Sequence, residues 1–196
     1  MLRRHALILL ASACALPSTA VAAPVRYVLV SDKSHVGFKF KLNGITQNGS
    51  MPVERADILI DAQNLAASRI DVTVAAARAR TGLIFVTQAM TGPDVLNTAQ
   101  FPTIRFVSRR ITLGTLDRIS EGAAVTGDLT LRGVTRSVTL QAALYRQPGS
   151  AADDLSQLDV VLSSTLNRND FGASGFPNLV ADTVTLDIRA RINAVK

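Results

Sequence analysis

Apolar residues recur at every second position along most of the chain from residue 27 onward. Successive side chains of a β-strand point to opposite faces, so this period predicts strands with one dry face and one wet face. In the first long segment Val36, Phe38 and Phe40 share one face, and Lys39 and Lys41 share the other. We therefore expect an all-β chain.

About eight segments with this alternation follow one another, joined mostly by short turn sequences. Such a series predicts an antiparallel meander, and closing the sheet on itself removes its exposed edges. We expect an eight-stranded antiparallel barrel, whose interior has room for side chains or for one small ligand. The turn signals are Asn43-Gly44, Asn48-Gly49, Arg132-Gly133, Pro148-Gly149 and residues 172–177.

Residues 81–100 break the alternation. Leu83 to Val86 and Met90 bunch together before Gly92-Pro93, which predicts a short helix and loop laid over the barrel. Their apolar side chains are either satellite core or a gate for a ligand, and the sequence leaves both open.

The first 22 residues have the pattern of a signal peptide. Met1 to His5 supplies positive charge, Ala6 to Leu16 is apolar, and Ala20-Val21-Ala22 is a small-residue cleavage signal. A bilayer takes about 20 apolar residues to span, so this run predicts export to the periplasm and no permanent membrane span. We assign 1–22 to the signal peptide and 23–196 to the barrel domain.

Cys14 is the only cysteine of the chain and lies within that leader. Lipidation of Cys14 is an open alternative to simple cleavage. After cleavage the chain has no cysteine, which excludes disulfides, thiol nucleophiles and cysteine-ligated metals.

Charge argues against a nucleic-acid partner. Without Arg3 and Arg4 the chain keeps 19 basic and 15 acidic residues, and Arg105, Arg109 and Arg110 form no basic helix with aromatic platforms. No compact polybasic run supports contact with anionic headgroups either.

Catalytic and metal-binding constellations are sparse. His35 is the only histidine beyond the leader, and neighbours on a strand point apart, so Asp32, Ser34 and His35 do not form a triad. One histidine without cysteines does not make a zinc or iron site. We expect no catalytic residues, no metal and no cofactor.

An apolar interior suits an apolar ligand, which needs volume, dryness and at most one polar group at the mouth. Each buried CH₂ contributes about 0.8 kcal/mol, so a chain of ten or more carbons binds firmly without specific contacts. A filled core and a filled cavity share the same sequence period, and this point stays open.

Four segments, in order, resemble the YceI-like family over nearly the whole chain. The third is the most specific, and it continues through Val138-Thr139-Leu140. The segments are Tyr27-Val-Leu with Ser34-His35-Val36-Gly37-Phe38, Asp94 to Pro102 with Ile104 to Ser108, Val125 to Arg136, and Leu166 to Gly172.

The resemblance implies a lipocalin-like barrel in the periplasm that holds a polyisoprenoid, a quinone or a similar amphiphilic lipid. Arg168 would hold a polar headgroup or, alternatively, pair with Asp170 or another carboxylate to fix the turn. The implied ligand-binding residues are Phe38, Phe40, Val72, Val74, Met90, Phe106, Leu129, Leu131, Leu162, Arg168 and Phe171.

Three functions remain open. The first is a non-catalytic carrier or reservoir for a quinone or a polyprenyl phosphate. The second is an enzyme acting on a lipid in the barrel, for which an inward residue such as Ser164 would be essential. The third is an envelope-stress or structural protein with a solid core and a partner surface, and a homodimer is open for any of them.

Overall fold

The computed structural model describes residues 24–61, 64–114, 122–151 and 154–195. The leader and Cys14 lie outside them. The described residues form eleven strands and one α-helix, α1 (Ile84–Thr91). None of the helices in these ranges is long and apolar enough to cross a membrane. The strands are β1 (Val25–Leu29), β2 (His35–Leu42), β3 (Ile45–Met51), β4 (Val53–Ile60), β5 (Arg69–Ala75), β6 (Arg80–Thr81), β7 (Thr103–Leu113), β8 (Ala123–Leu131), β9 (Val134–Arg146), β10 (Gln157–Asn167) and β11 (Val180–Ala194), and 3-10 turns span Ser31–Lys33, Leu65–Ala67, Ala76–Arg78 and Arg168–Phe171.

The strands form one closed antiparallel sheet. Hydrogen bonding runs in the order β1, β4, β5, β7, β8, β9, β10, β11, and β11 returns to β1 through pairs such as Leu29 with Ile192. β2, β3 and β6 extend the ring at one end, where the N-terminal part of β11 pairs with β2. This confirms the predicted eight-stranded barrel.

Two of the eight strands around the barrel are interrupted, and each of these consists of two shorter strands. β1 and β2 both pair with β11, one after the other, and the 3-10 turn Ser31–Lys33 separates them. β3 and β4 are separated by Pro52, which has no N–H to donate to a ladder. The Ser34 hydroxyl bridges the first interruption, because it donates to the Val30 carbonyl at 2.7 Å and accepts from the Arg191 N–H at 3.0 Å.

Two of the predicted turns are tight hairpin turns, and one predicted turn is wrong. Asn43-Gly44 and Arg132-Gly133 have positive φ at both positions, which is the geometry of a type I′ turn. Asn48-Gly49 instead lies inside β3. Gly49 pairs with Phe38 on β2, and a side chain at Gly49 would collide with the Phe38 ring. The glycine makes room for an aromatic ring and does not form a turn.

The predicted helix and loop over residues 81–100 is confirmed as α1 and the coil after it. Val86 and Met90 are buried against the barrel, whereas Ile84 and Phe85 are exposed. The helix ends at Gly92, whose N–H reaches the carbonyls of Gln88 and Ala89. α1 therefore covers one end of the barrel, which we call the α1 end.

Ion pairs join neighbouring strands on the outer face. Arg105 donates from Nε and Nη2 to the two carboxylate oxygens of Asp71, at 2.9 and 2.5 Å. Lys39 donates from Nζ to the Asp187 carboxylate at 2.9 Å. Hydrogen bonds from these cations hold the pKa of each carboxyl below its ordinary value. Such exposed pairs contribute little stability individually.

We expect Gly127→Ala to destabilise the barrel by about 1–3 kcal/mol. A methyl group there would clash with the Val107 carbonyl oxygen and lie 2.6 Å from the Phe106 ring. Urea denaturation of the purified protein measures the change. Gly82→Ala is the matched control, because a methyl group at Gly82 meets nothing within 4 Å; equal stability of both variants would contradict the expectation.

Acid should remove the contribution of the Arg191–Asp159 pair to the stability of the fold. The Arg191 Nε and Nη2 atoms lie 2.7 and 2.8 Å from the two carboxylate oxygens of Asp159. Hydrogen bonds from Arg191 lower the pKa of Asp159. The carboxylate therefore stabilises the fold above the unfolded pKa of about 3.9, and that contribution is lost as the pH falls through the lower folded pKa.

We expect the stability difference between wild type and Asp159→Asn to shrink as the pH falls from roughly 5 to roughly 2, measured by urea denaturation. Glu54→Gln is the control, since Glu54 forms no ion pair within the described residues. A difference that stays constant with pH would contradict this assignment.

Candidate functional site

A cavity of about 510 Å³ runs through the barrel. This volume falls in the range of small-molecule sites, about 300–1,000 Å³. The inward faces of all eight walls and part of α1 line it. All eleven residues expected to bind a ligand lie on its wall: Phe38, Phe40, Val72, Val74, Met90, Phe106, Leu129, Leu131, Leu162, Arg168 and Phe171. Their contact with a ligand stays a prediction.

The interior is not packed solid. Inward side chains such as Phe106, Leu162 and Leu186 are only half-buried, although they point to the barrel axis. Among the described residues no large side chain is fully buried. Protein cores are normally close-packed with few voids, so half-buried inward residues are the signature of open space.

The buried apolar residues form three separate clusters around this space. One lies at the α1 end and includes Phe40, Val86 and Met90. A second groups Tyr27 and Ile58 with Leu158 and Ile192. The third consists of Ala123, Val125, Leu140 and Ala142. A filled barrel would have one contiguous core, whereas here the clusters sit on the wall of the cavity.

Aromatic rings lie along the wall where glycines face them. The Phe38 ring covers Gly49, and the Phe106 ring reaches over Gly127. Phe38 and Phe40 stack with their centroids 6.2 Å apart. A larger residue in place of either glycine would push its ring into the cavity, so the two glycines help to keep the interior open.

The polar part of the wall is small. Among the described residues, Ser34, His35 and Arg189 contribute to it at the interruption between β1 and β2. The Ser34 hydroxyl is occupied by backbone groups, and the described residues contain no cluster of three or more potential metal ligands. The rest of the wall is apolar apart from Arg168 and the Tyr27 hydroxyl, which donates to the Leu155 carbonyl at 2.9 Å.

Arg168 lies at the α1 end of the cavity and is 6% exposed. Its guanidinium donates to four carbonyls at 2.6 to 3.2 Å, those of Ala173 and Gly175 in the following loop and of Val180 and Ala181 at the start of β11. The nearest carboxylate is that of Asp182 at 3.8 Å, not that of Asp170. Arg168 therefore fixes the loop over residues 173–181, and headgroup binding by Arg168 stays a prediction.

Ser164 faces a different space. The pairing of β9 with β10 stops at Ser163 and Gln141, and the two strands diverge beyond it. Ser164 lies on the wall of the small polar cleft left there, and its hydroxyl donates to the Thr139 carbonyl at 2.8 Å. Val138, Leu166 and Phe171 separate this cleft from the cavity, since each lines both.

Sequence reasoning singled out residues 83–86 as satellite core or a gate, but it missed Phe176 and Leu179 at the mouth. Phe85, Phe176 and Leu179 line the cavity and are also 61%, 41% and 47% exposed. The cavity therefore reaches the surface at the α1 end. We call the exposed apolar side chains of this end the apolar rim: Ile45, Leu83, Ile84, Phe85, Phe176 and Leu179.

The chain resembles known proteins in both sequence and fold. Residues 27–192 match the family described as the YceI-like domain. A UPF0312 protein of Pseudomonas savastanoi pv. phaseolicola is 30% identical over 190 residues, covering 94% of this chain and 95% of that protein. A UPF0312 protein of Photorhabdus laumondii is 30% identical over 146 residues, covering 74% and 73%.

Solved structures share the fold. Burkholderia cenocepacia BcnA has a TM-score of 0.71 at 19% identity, covering 84% of this chain and 99% of that one. A polyisoprenoid binding domain from Saccharophagus degradans, implicated in plant cell wall breakdown, has a TM-score of 0.64 at 14% identity, covering 87% and 99%.

We expect Arg168→Met to cost about 3 kcal/mol or more, because it leaves several carbonyls of the 173–181 loop without a donor. Hydrogen exchange of the amides in this loop should speed up, and urea denaturation should measure the loss. Arg189→Met, at a side chain that is 65% exposed, is the control. Unchanged exchange in the Arg168 variant would show that the loop is held by other contacts.

Proposed function

The chain belongs to the YceI-like domain family, and from this membership we propose that it is a non-catalytic binding protein for a long apolar lipid of the isoprenoid type. The lipid lies along the barrel axis inside the cavity. The protein serves as a carrier or reservoir that shields this molecule from water in the periplasm.

The cavity carries this proposal. A space of about 510 Å³ with an apolar wall offers a long hydrocarbon chain a dry path from the α1 end into the barrel. The half-buried inward residues, such as Leu162 and Leu186, are the surfaces that a ligand would cover. Covering them removes apolar area of both the ligand and the protein from water, which favours binding.

The energetics suit a chain better than a compact polar molecule. At about 0.8 kcal/mol per CH₂, ten buried carbons supply about 8 kcal/mol before the costs of association. The wall offers few hydrogen-bonding groups, so a polar substrate would lose its water without replacement, at a cost of several kcal/mol per group. The same scarcity of chemistry supports a binding role over catalysis.

One structural neighbour supports the isoprenoid class. The Saccharophagus degradans domain of the same fold is described as polyisoprenoid binding. A quinone and a polyprenyl phosphate both fit this class, and they differ in the headgroup.

Native mass spectrometry of the protein purified from a bacterial periplasm tests the proposal, followed by organic extraction and identification of what is released. We expect one lipid per chain. A lipid-free mass that persists after incubation with quinones and polyprenyl phosphates would overturn the proposal and favour a structural role. Recovery of a lipid chemically altered by the protein would favour an enzyme.

We expect Leu129→Trp and Leu162→Trp to lower the ligand content more than they lower stability, because an indole ring at these inward positions occupies the space of the lipid. Native mass spectrometry gives the bound fraction, and urea denaturation gives the stability. Ser163→Trp is the matched control, since Ser163 neighbours Leu162 on β10 but lies exposed on the outer face.

Unchanged ligand content in folded Leu129→Trp and Leu162→Trp proteins would place the ligand elsewhere. Equal loss in the Ser163→Trp protein would attribute the effect to general damage to the barrel.

A further inference from the structure

Exposed apolar side chains concentrate at the α1 end. Of the large hydrophobic residues that are exposed among those described, the six of the apolar rim lie here. Ile84 is the most exposed of them at 79%. Scattered apolar side chains on a surface need no explanation, but a cluster around a cavity mouth marks an interaction site.

The rim comes from three segments that are distant in sequence. The turn after β2 is tied to the third segment, because the Asn43 N–H donates to the Leu179 carbonyl at 2.8 Å. β3 is tied to the segment before α1 by the pair of Gly49 with Thr81. Across residues 42–53, 79–93 and 171–181, Arg80 is the only charged residue, and the exposed carboxylates of Asp94 and Asp182 directly follow the last two ranges. Removing a surface with so little charge from water costs little free energy.

Three cations lie at or next to these segments: Lys41 and Arg78 directly precede two of them, and Arg80 lies within one. Lys41, Arg78 and Arg80 are exposed at the same end of the barrel. No carboxylate within the described residues lies at ion-pair distance from any of them, and Asp182 lies 3.8 Å from Arg168. Proteins that bind at the surface of anionic membranes present exposed apolar side chains with unpaired cations next to them.

We propose that the α1 end docks on the surface of an anionic lipid bilayer. Leu83, Ile84 and Phe85 enter the boundary of headgroups and acyl chains, while Lys41, Arg78 and Arg80 stay at the headgroups. Because Phe85 and Phe176 also line the cavity, an apolar ligand passes between bilayer and barrel without crossing water. This inference rests on the proposed function for its purpose, but its contacts are independent of it.

A bilayer fits this surface better than a second copy of the chain. Two copies docked through their α1 ends would bring Lys41, Arg78 and Arg80 of each against the same cations of the other, which is unfavourable. Docking of two copies would also close both mouths. A bilayer instead supplies the negative charge and leaves the mouth facing the source of the ligand.

Vesicle co-sedimentation of the full chain tests the proposal, with vesicles of phosphatidylglycerol and phosphatidylcholine against vesicles of phosphatidylcholine alone. We expect binding to the mixed vesicles. Leu83→Ser/Ile84→Ser should weaken it by about a hundredfold, as expected from the loss of two inserting aliphatic side chains. Serine suits the position of Leu83, which is the N-cap residue of α1, so the helix should persist.

Val25→Ser/Val28→Ser is the matched control, because both residues are exposed apolar side chains on β1, outside the apolar rim. Arg78→Gln/Arg80→Gln should weaken binding to the mixed vesicles about tenfold or more and leave binding to phosphatidylcholine unchanged. Failure of wild type to bind the mixed vesicles would overturn the proposal. Equal loss in the β1 control, or a dimer that dissociates in the Leu83→Ser/Ile84→Ser variant, would also overturn it.

Ligand content separates this proposal from the one it rests on. Neither Leu83 nor Ile84 lines the cavity, so their double variant should keep its bound lipid in native mass spectrometry. A lipid-loaded protein that ignores vesicles contradicts docking alone. A vesicle-binding protein that never holds lipid contradicts the proposed function alone.

Discussion

Pairing of β1 with β11 closes the sheet into a ring, and the rest of the molecule depends on that closure. Once Leu29 and Ile192 are paired, the eight walls satisfy one another's backbone groups around the circumference. A sandwich of two sheets is held together only by contact between its inner faces. A closed ring keeps its shape without such contact, and this is why its inward leucines can remain half-buried.

Groups that do not face the centre set the shape of the space inside. Gly49 and Gly127 let the rings of Phe38 and Phe106 lie along the wall. Arg168 uses its guanidinium to hold the loop at the mouth through carbonyls, and the Asp182 carboxylate lies 3.8 Å away. Charged side chains such as Arg105 and Asp71 pair on the outer face. Most polar and charged groups therefore lie at the mouth or on the outer face, and few of them line the cavity.

The fold could be predicted from sequence because period-two alternation is a local property, as in Val36, Phe38 and Phe40. The eleven candidate residues came from the family resemblance and line the cavity, but alternation alone could not distinguish an open interior from a filled one. Asn48-Gly49 resembles a turn, and its true role depends on a ring across the sheet. Of the apolar rim, sequence reasoning singled out only Leu83 to Phe85, because the other members lie in two segments that are distant in sequence.

The scarcity of polar groups on the cavity wall has a consequence for selectivity. A cavity wall that makes few hydrogen bonds binds saturated, branched and unsaturated hydrocarbons with nearly the same affinity. Affinity does depend on the length of the hydrocarbon. A chain longer than the cavity leaves part of itself in water, and a shorter chain leaves part of the apolar wall uncovered. A hydrocarbon held in this interior would therefore be selected by its length more than by its chemistry.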